Sequence, residues 1–375
     1  MVSTAIDLRE CQRVLASSHV KPDDRTASMQ VLTTLLPLAG LWVCVAHPSV
    51  TSAWLLAGMT ALMSLFLVRI FVLMHDCGHG SLFRTPAINK GVGFAFGVLS
   101  GIPQQVWSQH HLYHHANNGN WARFRGPLNI IPSTQYAALT KAQQHRYRLG
   151  RNAWLAPFGG FVYLILNPRL NWLRASVGLA RHLIAGKIAT PAASLTLLAG
   201  GYSAPYCSSF QAYRFMSWNN IALLGLWGVM AWAVGPGVFF PLHLVSLSLA
   251  GGAAIVLFTV QHNFERSYAS GDEGWDSNAA VLHGTSFLLL PPWANWFTAN
   301  IAYHHIHHLC AGIPNYRLAR CHDEQAHLFS DVTRIRFSQI PRSLKCILWD
   351  AHSRQVISVQ EHQRQVAVAP VAHEQ

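Results

Sequence analysis

Four uncharged apolar stretches constrain this chain more than any other feature of it. They are Met29–Ala46, Val50–Val68 with Ile70–Met74 beyond Arg69, Phe215–Gly235 and Val238–Val260. A helix that crosses a bilayer needs about 17–25 mostly apolar residues, so each is long enough. The joining loops, His47–Ser49 and Gly235–Gly237, are very short, which predicts two hairpins that cross and return. Composition excludes the alternatives. Charged residues are 11% of the chain and hydrophobic ones 51%, with a mean hydropathy of +0.22, against about 25% charged in an ordinary soluble domain. So few charges cannot coat a soluble core of this size, and disorder requires low hydrophobicity.

Charge placement orients the hairpins. Between His75 and Trp218 there are 13 Lys and Arg and one acid, Asp76, whereas the two hairpin loops carry no Lys or Arg. The positive-inside bias therefore puts both termini and the long middle segment in the cytoplasm. Residues 1–28 mix acids and bases before any apolar run and do not read as a signal peptide. A polar N-terminal segment 1–28, a membrane domain 29–348 and a polar, loosely ordered tail 349–375 are expected. The stretches Gly91–Gln109, Asn152–Pro168 and Ile188–Tyr213 are also uncharged, but rich in Gly, Pro, Ser or Gln. They are expected to lie at the interface or re-enter it. Arg69, six residues before His75, is expected to snorkel to the cytosolic boundary. The net charge of +12 is spread without a dense basic run, so no nucleic-acid partner is expected. Seven scattered cysteines contain no C-x-x-C and suggest neither a disulfide framework nor a thiolate metal site.

The histidines carry the chemistry. Of 22, several fall into boxes: His75-Asp76-Cys77-Gly78-His79, then H-x-x-H-H at His111, His114 and His115, and again at His304, His307 and His308. A single His262 follows the fourth stretch. Residues at i, i+3 and i+4 share one helix face, so each box aims two or three imidazoles at one point. At this composition a random H-x-x-H-H is expected ~0.07 times per chain, so two are far from chance. With two crossings between the second and third boxes, all of them meet on one membrane face. Neutral imidazole suits Zn, Cu, Fe and Ni, and eight or nine ligands are too many for one ion and about right for two. The lone E-x-x-H, Glu324–His327, is unpaired and H-E-x-x-H is absent, which sets aside carboxylate-bridged bundles and zinc proteases. Asp76 and Glu265 stand beside candidate ligands and are expected to fix ring tautomers. The isolated His47, His145, His182, His243, His283, His322 and His327 are expected to be ordinary polar residues.

The first box extended through Gly80-Ser81-Leu82-Phe83, the second with Gly119-Asn120, Gln261-His262-Asn263-Phe264-Glu265, and the third with Ile313-Pro314-Asn315-Tyr316-Arg317-Leu318 together resemble the integral-membrane fatty acid desaturases. The likeness covers about residues 30–325 and is closest to bacterial acyl-lipid Δ12 (omega-6) desaturases. It implies an all-α membrane protein with four transmembrane helices in two hairpins and a cytosolic helical cap holding a histidine-rich di-iron site. It implies His75, His79, His111, His114, His115, His304, His307 and His308 as iron ligands, and His262 as an additional one. It further implies O2 as co-substrate, an acyl chain on a membrane lipid or thioester, and an electron donor such as ferredoxin or cytochrome b5. The doubled His110 and His305 leave the register of two boxes open. The same boxes would serve a hydroxylase or ketolase. A His-rich metal transporter would need polar residues at mid-membrane depth, where the stretches offer little beyond Asn219, Asn220 and His243.

Overall fold

The computed structural model describes residues 8–47, 49–124 and 129–368. Parts of the expected terminal segments, 1–7 and 369–375, lie outside the described residues, as does Pro48 in the first hairpin loop.

The first apolar stretch lies in a helix that starts before it, Asp24–Ala46, because Asp23 caps it by accepting from the Thr26 N–H at 3.1 Å. The second helix, Ala53–His79, runs on through the first histidine box and stops only at Gly80, whose φ of +69° closes the end with its N–H on the Asp76 and Cys77 carbonyls. Box one is thus the last turn of an apolar helix, and His75 and His79 project from one face. Phe210–Val234 and Pro236–His262 form the second hairpin, turned at Gly235 with φ +92° and restarted by Pro236. His262 ends that helix.

Among the described residues, three helices are long and apolar enough to cross a membrane: Asp24–Ala46, Ala53–His79 and Pro236–His262. The Phe210–Val234 helix has the length but carries buried Asn219 and Asn220. Asn220 accepts from Arg169 Nε at 3.0 Å and donates to the Met216 carbonyl at 2.9 Å. Arg69 does not snorkel. It is 2% exposed, donates through Nε to Thr34 Oγ1 at 3.0 Å and through Nη1 to the Trp296 carbonyl, and stacks 4.0 Å over the Trp296 ring. Partners within the helix packing satisfy it, so its stem has no reason to extend to water.

The uncharged middle stretches become short helices around this frame. Pro86–Ser100 packs along Ala53–His79 and ends at Gly101, φ +77°. Ala156–Phe161 lies across Pro236–His262, where a Cβ on Gly160 would stand 2.5 Å from the Gly252 nitrogen. Only glycine on both sides permits that backbone approach. The chain is mostly helical but not all-α. Strands β1 (Ile131–Pro132), β4 (Cys346–Asp350) and β5 (Gln355–Ser358) form a sheet in the order β1-β4-β5, parallel then antiparallel, and β2 (Phe287–Leu289) pairs with β3 (Arg334–Arg336) in parallel. The expected loose tail is therefore ordered as far as Val368. Trp349, Val356 and Ile357 are buried in the hairpin, and a helix follows at Val359–Val368.

Candidate metal centre

Four segments bring the imidazoles together. His75 and His79 come from the end of Ala53–His79, His111, His114 and His115 from the helix Gln104–Ala116, and His262 from the end of Pro236–His262. His304, His307 and His308 come from the short helix His304–Leu309. All nine residues singled out in the sequence converge, in two groups. The ligand nitrogens of His75, His79, His111, His115 and His307 lie within 4.8 Å of one another, as do those of His114, His262 and His308. His304 joins the second group through Nε2, 2.9 Å from Nε2 of His262.

The spacing suits nitrogens gathered round a cation, and the unpartnered nitrogens argue against a purely hydrogen-bonded cluster. Nε2–Nε2 separations are 3.0 Å for His111–His115, 3.0 Å for His115–His307 and 3.2 Å for His114–His262. Adjacent nitrogens each ~2.0–2.1 Å from one ion stand about 3 Å apart. Nε2 of His75 and of His79 and both ring nitrogens of His308 are buried without a hydrogen-bond partner, in a class of atoms that is almost always paired. Burial, and after it the neighbouring imidazoles, holds His111, His114, His115, His304, His307 and His308 well below the ordinary 6.5. They are neutral at pH 7, the form that ligates a metal.

Two ring orientations are fixed from behind. His75 Nδ1 donates to Asp76 Oδ1 at 3.1 Å, and Asp76 Oδ2 accepts from the backbone N–H and the side-chain amide of Asn315, each at 2.9 Å. His262 Nδ1 faces the Gly284 carbonyl at 3.2 Å. Both leave Nε2 for the cluster. Glu265 takes no such part: it is exposed and ion-paired with Arg342, because the chain turns outward after Phe264, leaving the Glu265 side chain at the surface. Nor do the doubled histidines join. His110 lines an adjoining cavity, and His305 points away to His322, Nε2 to Nδ1 at 3.1 Å, against Phe287 and Phe329. Sequence reasoning missed His322 and Asn315 as supports. Asn315 lay within the segment Ile313–Leu318 that carries the family likeness, whereas His322 had no spacing to mark it.

Against the cluster lies an apolar cavity bounded by Val68, Phe71, Val72, Leu257 and Phe258, with His75, His111, His114 and His304 on its polar side. Trp107 forms a further wall. Its ring stacks on His111 at 4.7 Å and 11°, and its Nε1 donates to Tyr163 Oη at 3.0 Å. Trp296 and Phe297 instead pack edge-on against Phe66, and Trp293 is exposed.

Comparison with known proteins gives the same direction. The family model described as fatty acid desaturase matches residues 49–338. The chain is 32% identical over 346 residues to a fatty acid desaturase of Bacillus subtilis, covering 91% of this chain and 88% of that protein. It is 26% identical over 340 residues to the sn-1 oleoyl-lipid 12-desaturase of Picosynechococcus sp., covering 88% and 87%. Over a shorter stretch of 67 residues, 18% of this chain and 17% of the other, it is 39% identical to the sn-1 acyl-lipid omega-3 desaturase (ferredoxin) of Synechocystis sp.. By the match over most of its length, with the histidine boxes inside it, the chain belongs to the fatty acid desaturase family and is an oxidoreductase of that kind.

Proposed function

We propose that this desaturase introduces a cis double bond into an acyl chain of a membrane lipid, with two iron ions held by the nine clustered histidines. The carrying observation is the convergence of those imidazoles, in a group of five and a group of three joined by His304, against an apolar cavity. A mid-chain methylene offers no acid, base or electrophile for ordinary side-chain catalysis. Iron with O2 and two electrons supplies the oxidising power such a bond needs. The chain's own residues supply the rest. Val68, Phe71, Leu257 and Phe258 exclude water and hold the methylenes beside the histidines. Asp76 and the Gly284 carbonyl set the His75 and His262 tautomers, and Trp107, tied to Tyr163, fixes the plane of His111.

The double bond is assigned to position 12, a reading supported by the name of the Picosynechococcus relative at 26% identity. The donor is a ferredoxin or cytochrome b5, supported for ferredoxin by the name of the Synechocystis relative. Phe210–Val234 is the fourth span, and the cluster faces the cytoplasm of the inner membrane. The absence of Lys and Arg from the hairpin loops supports that orientation. Expression in a host without polyunsaturated lipids, together with a ferredoxin, and gas chromatography–mass spectrometry of the acyl methyl esters test the proposal. A new diene whose newly formed bond lies at carbon 12 is expected. Hydroxy or keto acids would move the reading to a hydroxylase or ketolase, and a double bond elsewhere would overturn the position alone.

A further inference from the structure

The helix Asn167–Ala189 divides lengthwise into a packed face and a bare one. On the packed face Trp172 Nε1 donates to Ser217 Oγ at 3.0 Å in the Phe210–Val234 helix, and the Ala175 carbonyl accepts from Tyr202 Oη at 2.6 Å. His182 Nε2 donates to the Leu198 carbonyl at 2.9 Å in the short returning helix Leu195–Gly200. The bare face carries Leu170, Leu173, Val177, Ile184 and Ile188, all exposed, the last two at 62% and 77%. Their three- and four-residue steps, with exposed Ala180 filling the gap, make one continuous helical stripe. Leu195 and Leu197 of the returning helix are exposed as well, Leu197 at 70%. Arg174 and Arg181 border the stripe, and Lys187 stands near its end. Residues 77–264 contain no Asp or Glu, and among the described residues none of these three cations has a carboxylate partner.

An apolar surface this continuous, rimmed by polar groups, marks a membrane or protein contact rather than a face left in water. A second copy is a poor occupant. The same patch on both subunits would set Arg174 and Arg181 against their own counterparts, with no acid in the segment to answer them. The bilayer suits both the apolar stripe and the charge. The helix flanks Phe210–Val234, whose Trp218 and Ile221 are exposed, and follows Trp154 and Phe158, exposed at 90% and 68%, so the stripe continues an apolar surface already turned outward. Large aromatics so placed mark the headgroup level. An apolar face edged by Lys and Arg is the pattern of helices that lie in the interface, where cations draw anionic headgroups. We propose that the helical hairpin Asn167–Gly200 is an anionic-lipid-binding element, its stripe seated among lipid tails and Arg174, Arg181 and Lys187 on the headgroups of acidic phospholipids. The hairpin is not one of the spans, and the proposal rests on the chain being a membrane protein, not on the reaction at the histidine cluster.

The test places a bimane fluorophore at Ile184→Cys in the full chain, with Cys44→Ser removing the exposed native thiol, and Leu197→Cys serves as a second probe site. The chain is reconstituted in nanodiscs of phosphatidylcholine with and without phosphatidylglycerol. With phosphatidylglycerol present, tail-brominated lipid should quench the probe and aqueous iodide should not. The ratio of lipid-quenched to iodide-quenched probe should fall at least tenfold when Arg174→Gln, Arg181→Gln and Lys187→Gln are combined, roughly fivefold being expected per cation removed. Arg174→Lys with Arg181→Lys, which keeps the charge, should hold that ratio within threefold, and high salt should lower it. A probe that iodide reaches freely in discs containing phosphatidylglycerol would overturn the proposal and leave the face to an acidic protein partner. Shielding found only in discs that hold two chains would give the face to a second copy instead. Equal shielding without phosphatidylglycerol and in the Gln variant would remove the anionic lipid from the account. None of these readings involves turnover, so lipid seating with no unsaturated product would count against the desaturase reading alone.

Discussion

Asp76→Asn is the substitution whose effect the geometry fixes most closely. The wild-type carboxyl is 3% exposed and accepts three N–H bonds, one from His75 and two from Asn315. An asparagine keeps one acceptor oxygen and turns an NH2 toward one of those donors. At least one bond is lost and the others become neutral ones. Bonds to a charged group contribute about 1.5–3 kcal/mol each, against 0.5–1.5 for neutral pairs, so a loss of about 3 kcal/mol in folding stability is expected. The His75 ring also loses the partner that holds its Nδ1 proton, which typically costs 10–100-fold in metal affinity. Denaturant titration gives the first number and chelator competition on the purified chain the second. Asn315→Ala keeps the backbone N–H on Asp76 but removes the side-chain donor and the amide's pairing with Gln30, and should cost about 2–3 kcal/mol in stability. Metal affinity within twofold of wild type together with an unchanged unfolding midpoint would refute the clamp.

His307→Ala takes one nitrogen from the group of five and should abolish product formation while the chain still inserts in the membrane; fractionation and acyl profiling read both. Tyr163→Phe leaves the Trp107 indole N–H without its acceptor, which should cost about 1–3 kcal/mol in unfolding free energy. Gly160→Val places a Cβ 2.5 Å from the Gly252 nitrogen and should cost about 3 kcal/mol or prevent folding, since overpacking here has only backbone to displace. Acid should destabilise the chelator-stripped chain. The folded state holds His305 down at about 3 through burial, and His111, His114, His115, His304, His307 and His308 well below 6.5. The unfolded state therefore binds more protons below pH 6.5, and stability, level above that value, falls as pH drops through it by up to about 1.4 kcal/mol per unit for each such imidazole. A flat unfolding midpoint from pH 7 to 5 would contradict this.

The histidine convergence was legible because helical spacing is local: i, i+3 and i+4 decide which rings share a face before any tertiary contact forms. The second hairpin was legible from Gly235-Pro236, where one residue supplies the positive φ and the next restarts a helix. What the sequence could not convey depends on who packs against whom. Arg69 finds Thr34 and the Trp296 carbonyl across helix boundaries, so composition alone placed it at the interface. Glu265 is adjacent to the His262 segment in sequence, but the chain turns after Phe264 and gives it to Arg342. The His305–His322 pair joins residues 17 apart through a short loop. The hairpin β4-β5 sits in a segment whose polar composition masked the buried Trp349, Val356 and Ile357.

The central claim is that nine imidazoles hold two iron ions. The most direct test is metal analysis of the purified full-length chain by inductively coupled plasma mass spectrometry, with X-ray absorption at the metal edge. The account predicts two irons per chain in a nitrogen-rich environment, falling to one or fewer in His307→Ala. A single zinc per chain, or iron unaffected by that substitution, would contradict it.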